Sequence, residues 1–163
     1  MITPTTSAKT SEKTVGMGQI AAGRDPERLR AILGSCIGLA LYHPRLKAGT
    51  LAHIVLPDSA GRDGLPGKFA DTAVPRMLDM LRELGAPASG LTAKLAGGAN
   101  MFAGSGPLQI GDANVEAVER VLRSAGVRLV GRDVGGTSGR RVTFDCADGT
   151  MTVEQAGQPP RSL

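Results

Sequence analysis

A thiol and an imidazole stand near each other in this chain. Cys36, in Leu33-Gly34-Ser35-Cys36, is followed seventeen residues later by His53, in Ala52-His53-Ile54-Val55-Leu56-Pro57. These are the two groups needed to make a thiolate nucleophile near neutral pH. An imidazole beside a thiol is expected to lower its pKa and later to protonate a leaving group, the chemistry of acyl transfer through a thioester. Gly34 and Ser35 add a turn at which backbone N–H groups can converge and stabilise a developing oxyanion. A plainer reading stands beside this one: a lone cysteine at the start of an apolar strand is more often a small core residue.

Whether the two groups meet depends on the elements that carry them. Residues 36–42 alternate Ile37, Leu39 and Leu41 with Gly38, Ala40 and Tyr42, and residues 50–56 form a second apolar run. The intervening His43-Pro44-Arg45-Leu46-Lys47-Ala48-Gly49 reads as a turn, which makes the two runs an antiparallel hairpin. Centred near Arg45 and Leu46, this hairpin pairs position 36 with about position 55 and sets His53 diagonally on the same face. Diagonal neighbours lie roughly 7–8 Å apart. A slip of one residue sends His53 to the opposite face.

The remaining elements read more coarsely. Residues 15–22 form a weak strand interrupted by glycines, and residues 58–67 a polar loop. A helix is expected over 71–84, with Val74, Met77, Leu78, Leu81 and Leu84 as its apolar stripe, Asp71 or Thr72 as cap and Gly85 as stop. A short strand over 91–96 runs into Gly97-Gly98. A second helix over 113–125 is capped by Asp112 and stopped by Gly126, with Val115, Val118, Val121, Leu122 and Ala125 inward. Residues 127–134, 141–146 and 150–154 close the pattern as strands, which makes the class α+β with mixed or antiparallel sheets. One domain, 15–155, is expected between flexible tails at 1–14 and 156–163.

Composition narrows the function. The chain has 163 residues, a net charge of +4 and two cysteines, so a disulfide framework is not expected and a cytoplasmic setting with reduced thiols is. Aromatics make up 2% of residues with no Trp, and no basic run forms an arm, which argues against nucleic-acid binding. No segment has the apolar length for membrane insertion. The mildly basic surface, including Arg76 and Arg82 on the first helix, reads as a solvated face that could also meet an acidic protein partner.

Other residues carry less chemistry. Cys146 lacks a nearby histidine and reads as structural, while His43, before Pro44, reads as exposed. Gly97-Gly98-Ala99-Asn100 and Gly104-Ser105-Gly106 lack the spacing of a nucleotide cradle. No spacing suggests a metal. Residues 133–140 read as a flexible hairpin connection that could line a cleft.

Taken in order, Leu33-Gly34-Ser35-Cys36, Ala52-His53-Ile54-Val55-Leu56-Pro57, Lys68-Phe69-Ala70-Asp71, residues 93–101, Ile110-Gly111-Asp112-Ala113-Asn114 and residues 133–140 resemble the CheD family of chemoreceptor glutamine deamidases. The resemblance runs from about Val15 to Val153. It implies hydrolysis of glutamine side-chain amides on the cytoplasmic signalling helices of methyl-accepting chemotaxis receptors, with Cys36 as nucleophile, His53 as general base and acid, and no metal or organic cofactor. It implies a layered α+β sandwich of the kind found in YfiH-like proteins and cytotoxic necrotizing factor toxins. Association with a CheC-type phosphatase, or a purely binding role, is the alternative it carries. Family members usually place a catalytic Thr five or six residues before the cysteine. Here those positions hold Ala31 and Arg30, so the group that orients His53 is either a backbone carbonyl or another side chain.

Overall fold

Seven consecutive residues from Ile37 to His43 are buried, so the strand they form is covered on both faces. The computed structural model describes residues 11–101 and 109–163. In chain order these form β1 (Glu12–Thr14), β2 (Ile20–Arg24), β3 (Arg28–Leu33), β4 (Ile37–His43) and β5 (Ala48–Ile54). After a 3-10 turn at Pro66–Lys68 come α1 (Ala70–Glu83), β6 (Thr92–Gly97), α2 (Ile110–Ala125), β7 (Arg128–Val134), β8 (Arg140–Asp145), β9 (Met151–Glu154) and β10 (Arg161–Ser162). The strands make two sheets, ordered β1-β3-β8-β9-β10 and β2-β5-β4-β6-β7. Each is antiparallel apart from one parallel pair, β1 with β3 and β6 with β7.

The sheets face each other across one apolar cluster, in which Leu29, Leu33, Val142 and Phe144 meet Ala40, Leu51 and Ala96. On the far side of the second sheet, Ile37, Leu39 and Ile54 pack against Val74, Met77 and Leu81 of α1 and Val118 and Leu122 of α2. This is a layered α+β arrangement with both helices on one face. Among the described residues, no helix is long and apolar enough to cross a membrane.

Several local expectations are corrected. Of the strand expected over 15–22, only residues 20–22 are strand, as the start of β2; residues 15–19 turn, and a separate β1 ends at Thr14. β3 was not anticipated, although Leu29, Ala31 and Leu33 alternate inward along it. Thr72 and Asp71 do not cap α1. The Thr72 hydroxyl donates to the Pro66 carbonyl at 2.6 Å, and the Asp71 carboxylate accepts from Ser59 N and Oγ at 3.0 and 2.7 Å. α2 starts at Ile110, which puts Asp112 inside the first turn; Ala125 is exposed and Asn114 is buried in its place.

The expected tails are structured where they are described. Glu12–Thr14 pairs with β3, and Arg161–Ser162 pairs with β9. Charge holds the latter: Arg161 donates to Asp133 at 2.6 and 3.0 Å, and Lys94 Nζ donates to the Leu163 carbonyl at 2.8 Å. Residues 1–10 and the Gly104-Ser105-Gly106 motif lie outside the described residues.

The connection over 133–140 is no hairpin, because it passes from β7 in one sheet to β8 in the other. Arg140 is buried there, with Nε 3.0 Å from Asp133 Oδ1 and Nη1 donating to the Gly97 carbonyl at 2.7 Å. The Nε contact is an ion pair by distance but is not aligned as a hydrogen bond, since Nε has no hydrogen-bond partner. Hydrogen bonding from Arg161 is the main cause that holds the Asp133 carboxyl below its usual range.

Gly111 lets the first turn of α2 press against the backbone after β6. A Cβ there would lie 2.3 Å from the Gly98 carbonyl oxygen and 2.7 Å from that of Ala99. Neither partner is a flexible side chain. Gly111→Ala should therefore destabilise the protein in urea unfolding by about 1–3 kcal/mol, despite the ~1 kcal/mol that alanine gains over glycine in an open helix. Equal or greater stability in that variant would contradict the contact.

Candidate functional site

Gly34, Ser35 and Cys36 form the three-residue crossing between β3 of one sheet and β4 of the other. Ile37 pairs with Ile54 and Gly38 with His53, as the hairpin pattern predicts; the pairing ends there, and the same register extended by one residue sets position 36 opposite position 55. Cys36 and His53 thus occupy diagonal positions on the face turned toward the other sheet. Gly38, directly opposite His53, brings no side chain of its own between them. Both residues are largely buried, Cys36 at 8% exposure and His53 at 5%.

His53 is held on three sides by the turn at 15–19. Its Nδ1 lies 3.0 Å from the Val15 carbonyl oxygen, its N–H donates to the Gln19 carbonyl at 3.0 Å, and its own carbonyl accepts from Gly18 N at 2.9 Å. A carbonyl can only accept, so Nδ1 carries a proton, and in the neutral imidazole the lone pair is then on Nε2. Val15 is itself anchored, its N–H donating to the Arg30 carbonyl at 2.7 Å. The Arg30 side chain instead pairs with Glu12 at 3.0 Å, and Ala31 faces the core. Neither side chain at these two positions orients the imidazole.

The Cys36 segment is fixed through its carbonyls. Ala99 N donates to the Gly34 oxygen at 3.0 Å and Gly98 N to the Cys36 oxygen at 3.0 Å. Asn114 Nδ2 donates to the Ser35 oxygen at 3.1 Å and to the Val55 oxygen at 3.0 Å. Gly97 is needed for the close approach: a Cβ on it would fall 2.3 Å from the Cys36 oxygen, and its φ is +106°. Gly34 has no positive φ, so the turn owes nothing to glycine's left-handed freedom there.

Burial pushes the Cys36 thiol above its ordinary value, opposite to the depression expected from a neighbouring imidazole. Among the described residues, no hydrogen bond joins Sγ to the ring. Cys146 is fully buried and is pushed up to about 12, chiefly by burial, as suits a core thiol. His43, expected to be exposed, is buried, with Nδ1 3.3 Å from the Leu46 N–H. Arg76 and Arg82 pair with Glu83 and Asp79 on their own helix. Among the described residues, no group of three His, Cys, Asp or Glu is placed to hold a metal ion.

Asn114 is the residue that sequence reading passed over. The signal was available: an amide at 114 shares the helical stripe of Val118 and Leu122.

Comparison with known proteins adds lineage to this geometry. A family model described as CheD chemotactic sensory transduction matches residues 55–155, a span that begins two residues after His53 and does not include Cys36. Chemoreceptor glutamine deamidase CheD of Thermotoga maritima is 40% identical over 147 residues, covering 90% of this chain and 93% of that one. CheD proteins of Desulforamulus reducens and Methanococcus vannielii are 43% and 42% identical, covering 91% and 88% of this chain and 93% and 95% of their own. Among solved structures, the Bacillus licheniformis hypothetical protein YfiH superimposes with a TM-score of 0.49 at 16% identity, over 72% of this chain and 51% of that one. Relatives that are 40% or more identical and span about nine-tenths of this chain show that it belongs to the CheD family.

Proposed function

We propose that this chain is a chemoreceptor glutamine deamidase in which Cys36 is the nucleophile, His53 the general base and then acid, and the Val15 carbonyl the group that orients His53. The observation that carries the reading is the β4–β5 register, which sets Cys36 and His53 diagonally on one face with the ring proton committed to Val15. The substrate class comes from the activity named for the relatives. The setting is the cytoplasm, where two free cysteines remain reduced.

In the first step the Sγ proton passes to His53 Nε2 as Sγ attacks the amide carbon of a receptor glutamine. The carbonyl oxygen becomes an oxyanion facing the backbone N–H groups of Ser35 and Cys36. Collapse breaks the C–N bond, and His53 gives its proton to the departing ammonia. Water then attacks the thioester, His53 takes a proton from it, and glutamate leaves as the thiol is restored. No step calls for a metal or organic cofactor.

The raised thiol pKa shapes the first step. A neutral thiol at rest gives up its proton during attack, so the thiolate does not stand ready as part of an ion pair. Such apo geometry, with no Sγ–ring hydrogen bond, is common where the contact tightens on the substrate.

Two measurements test the reading. Incubated with a receptor signalling domain, the wild type should convert glutamines to glutamates, read by mass, and Cys36→Ala should abolish the change. His53→Ala should lower the rate by about 10²–10⁴-fold. If wild type and Cys36→Ala bind the receptor equally and both leave it unaltered, the chain is a non-catalytic module acting on receptors or on a CheC-type phosphatase.

The second is a pH profile. A raised pKa leaves less thiolate at neutral pH than an ordinary thiol has, so iodoacetamide should alkylate native Cys36 ahead of Cys146, and slowly. Its rate should climb about tenfold per pH unit into the alkaline range. A plateau reached at mildly acidic pH would show a preformed thiolate and overturn this account of the first step.

A further inference from the structure

We infer that Asn114 is a positioning residue that aims the two backbone donors of the oxyanion site; the inference rests on the reading of Cys36 as nucleophile. Asn114 sits one turn into α2, fully buried, and spends both Nδ2 protons on main-chain carbonyls, those of Ser35 and Val55. Both partners only accept, so the amide's NH₂ end must face them and its orientation is determined.

The consequence follows from peptide geometry. In a trans peptide the carbonyl of one residue and the N–H of the next point in opposite directions. Capture of the Ser35 carbonyl by Asn114 therefore turns the Cys36 N–H away from α2. Capture of the Gly34 carbonyl by Ala99 N turns the Ser35 N–H in the same manner. α2 packs on the face of the sheet that carries Ile37, while Cys36 belongs to the opposite cluster. Both N–H groups are thereby directed to the side of the thiol, and neither meets an acceptor among the described residues.

Val55 gives the same amide a second hold. It stands opposite position 36 and two residues beyond His53, so one side chain ties the Cys36 crossing to the strand that carries the imidazole. The arrangement has a cost. Asn114 Oδ1 is buried without a hydrogen-bond partner, where an apolar side chain would continue the stripe of Val118 and Leu122 with no such penalty. The two donors are what the amide supplies in return.

The test separates oxyanion formation from thiol reactivity. Butyraldehyde has the carbon skeleton of glutamine from Cα to the end of the side chain, with CHO in place of the amide. Addition of Cys36 Sγ forms a C–S bond, opens the C=O π bond, and moves the thiol proton through His53 to the oxygen, which passes through an oxyanion. Alkylation by iodoacetamide displaces iodide and forms none. Asn114→Ala and Asn114→Asp should lose about tenfold in aldehyde affinity and ~10²-fold or more in deamidation kcat. KM for the receptor and the alkylation rate should be unchanged.

If alkylation, aldehyde capture and thermal stability fall together, Asn114 is merely structural and the inference fails. Should the variants not fold, the wild type decides alone. Its Ser35 and Cys36 amide protons should move downfield in the ¹⁵N spectrum on aldehyde capture, and unmoved amides overturn the inference. A wild type that captures aldehyde with those shifts but leaves receptor glutamines intact would refute the deamidase reading while upholding the two donors, and loss of aldehyde affinity in the Asn114 variants would then uphold the role of Asn114.

Discussion

The antiparallel pairing of β4 with β5 is the constraint on which the site depends. Both strands are buried along their whole length, so the pairing cannot slip without exchanging two different interiors. In the observed register Ile37, Leu39 and Ile54 enter the helix-side core while Cys36 and His53 share the other face. A shift of one residue would turn the imidazole into an apolar layer lined by Val74 and Met77, away from the Val15 carbonyl. An unsatisfied buried polar group costs about 1–3 kcal/mol, and the apolar side chains displaced from their layer add to it. Core packing, acting through strand register, is thus what brings a thiol and an imidazole into one neighbourhood.

The same burial that fixes the geometry opposes the chemistry proposed for it. Desolvation raises the Cys36 thiol, which disfavours the anion needed for attack. The surroundings answer with oriented dipoles. Three successive carbonyls, from Gly34 to Cys36, are drawn off by Ala99 N, Asn114 Nδ2 and Gly98 N, all contributed by α2 or by the turn that follows β6. Arg140 reaches the neighbouring Gly97 carbonyl and couples that turn to Asp133, so the motif over 133–140 acts as a brace behind the crossing. In the proposed reaction, stabilisation is thereby reserved for the charge that develops during attack and is withheld from the resting thiol.

Much of this was legible in the residues, and the exceptions have physical causes. The β4–β5 register followed from turn length and apolar patterning, and both helices followed from their stripes. The caps did not follow, nor the start of α2, because Asp71 and Asp112, which look like caps, bond to Ser59 and Asn100. β3 alternates as clearly as any strand, but its outward Ile32 is 68% exposed and Arg28 and Arg30 flank its apolar positions, which blurred the pattern. β10 is held by charges from Asp133 and Lys94, distant in sequence, and a polar Pro-containing segment carries no sign of that. His43 is buried by packing near Gly90, another contact that local sequence does not encode.

A backbone carbonyl was one of the two kinds of group expected to orient His53, but which carbonyl was illegible for a deeper reason. A backbone carbonyl has no side-chain signature, and the turn that supplies it reads as an interrupted strand. The Val15 carbonyl is aimed by three further main-chain contacts: the Val15 N–H on the Arg30 carbonyl, the Gly18 N–H on the His53 carbonyl, and the His53 N–H on the Gln19 carbonyl. None of these depends on which side chain stands at position 30. A residue there need only continue β3 and offer its carbonyl, and an arginine does so while its guanidinium pairs with Glu12 at the surface. Where a threonine hydroxyl would hold the ring through a side chain, this chain holds it through the fold of its first turn. With Arg30 and Ala31 where the resemblance leads one to expect a threonine, the imidazole still has a hydrogen-bond acceptor in the Val15 carbonyl.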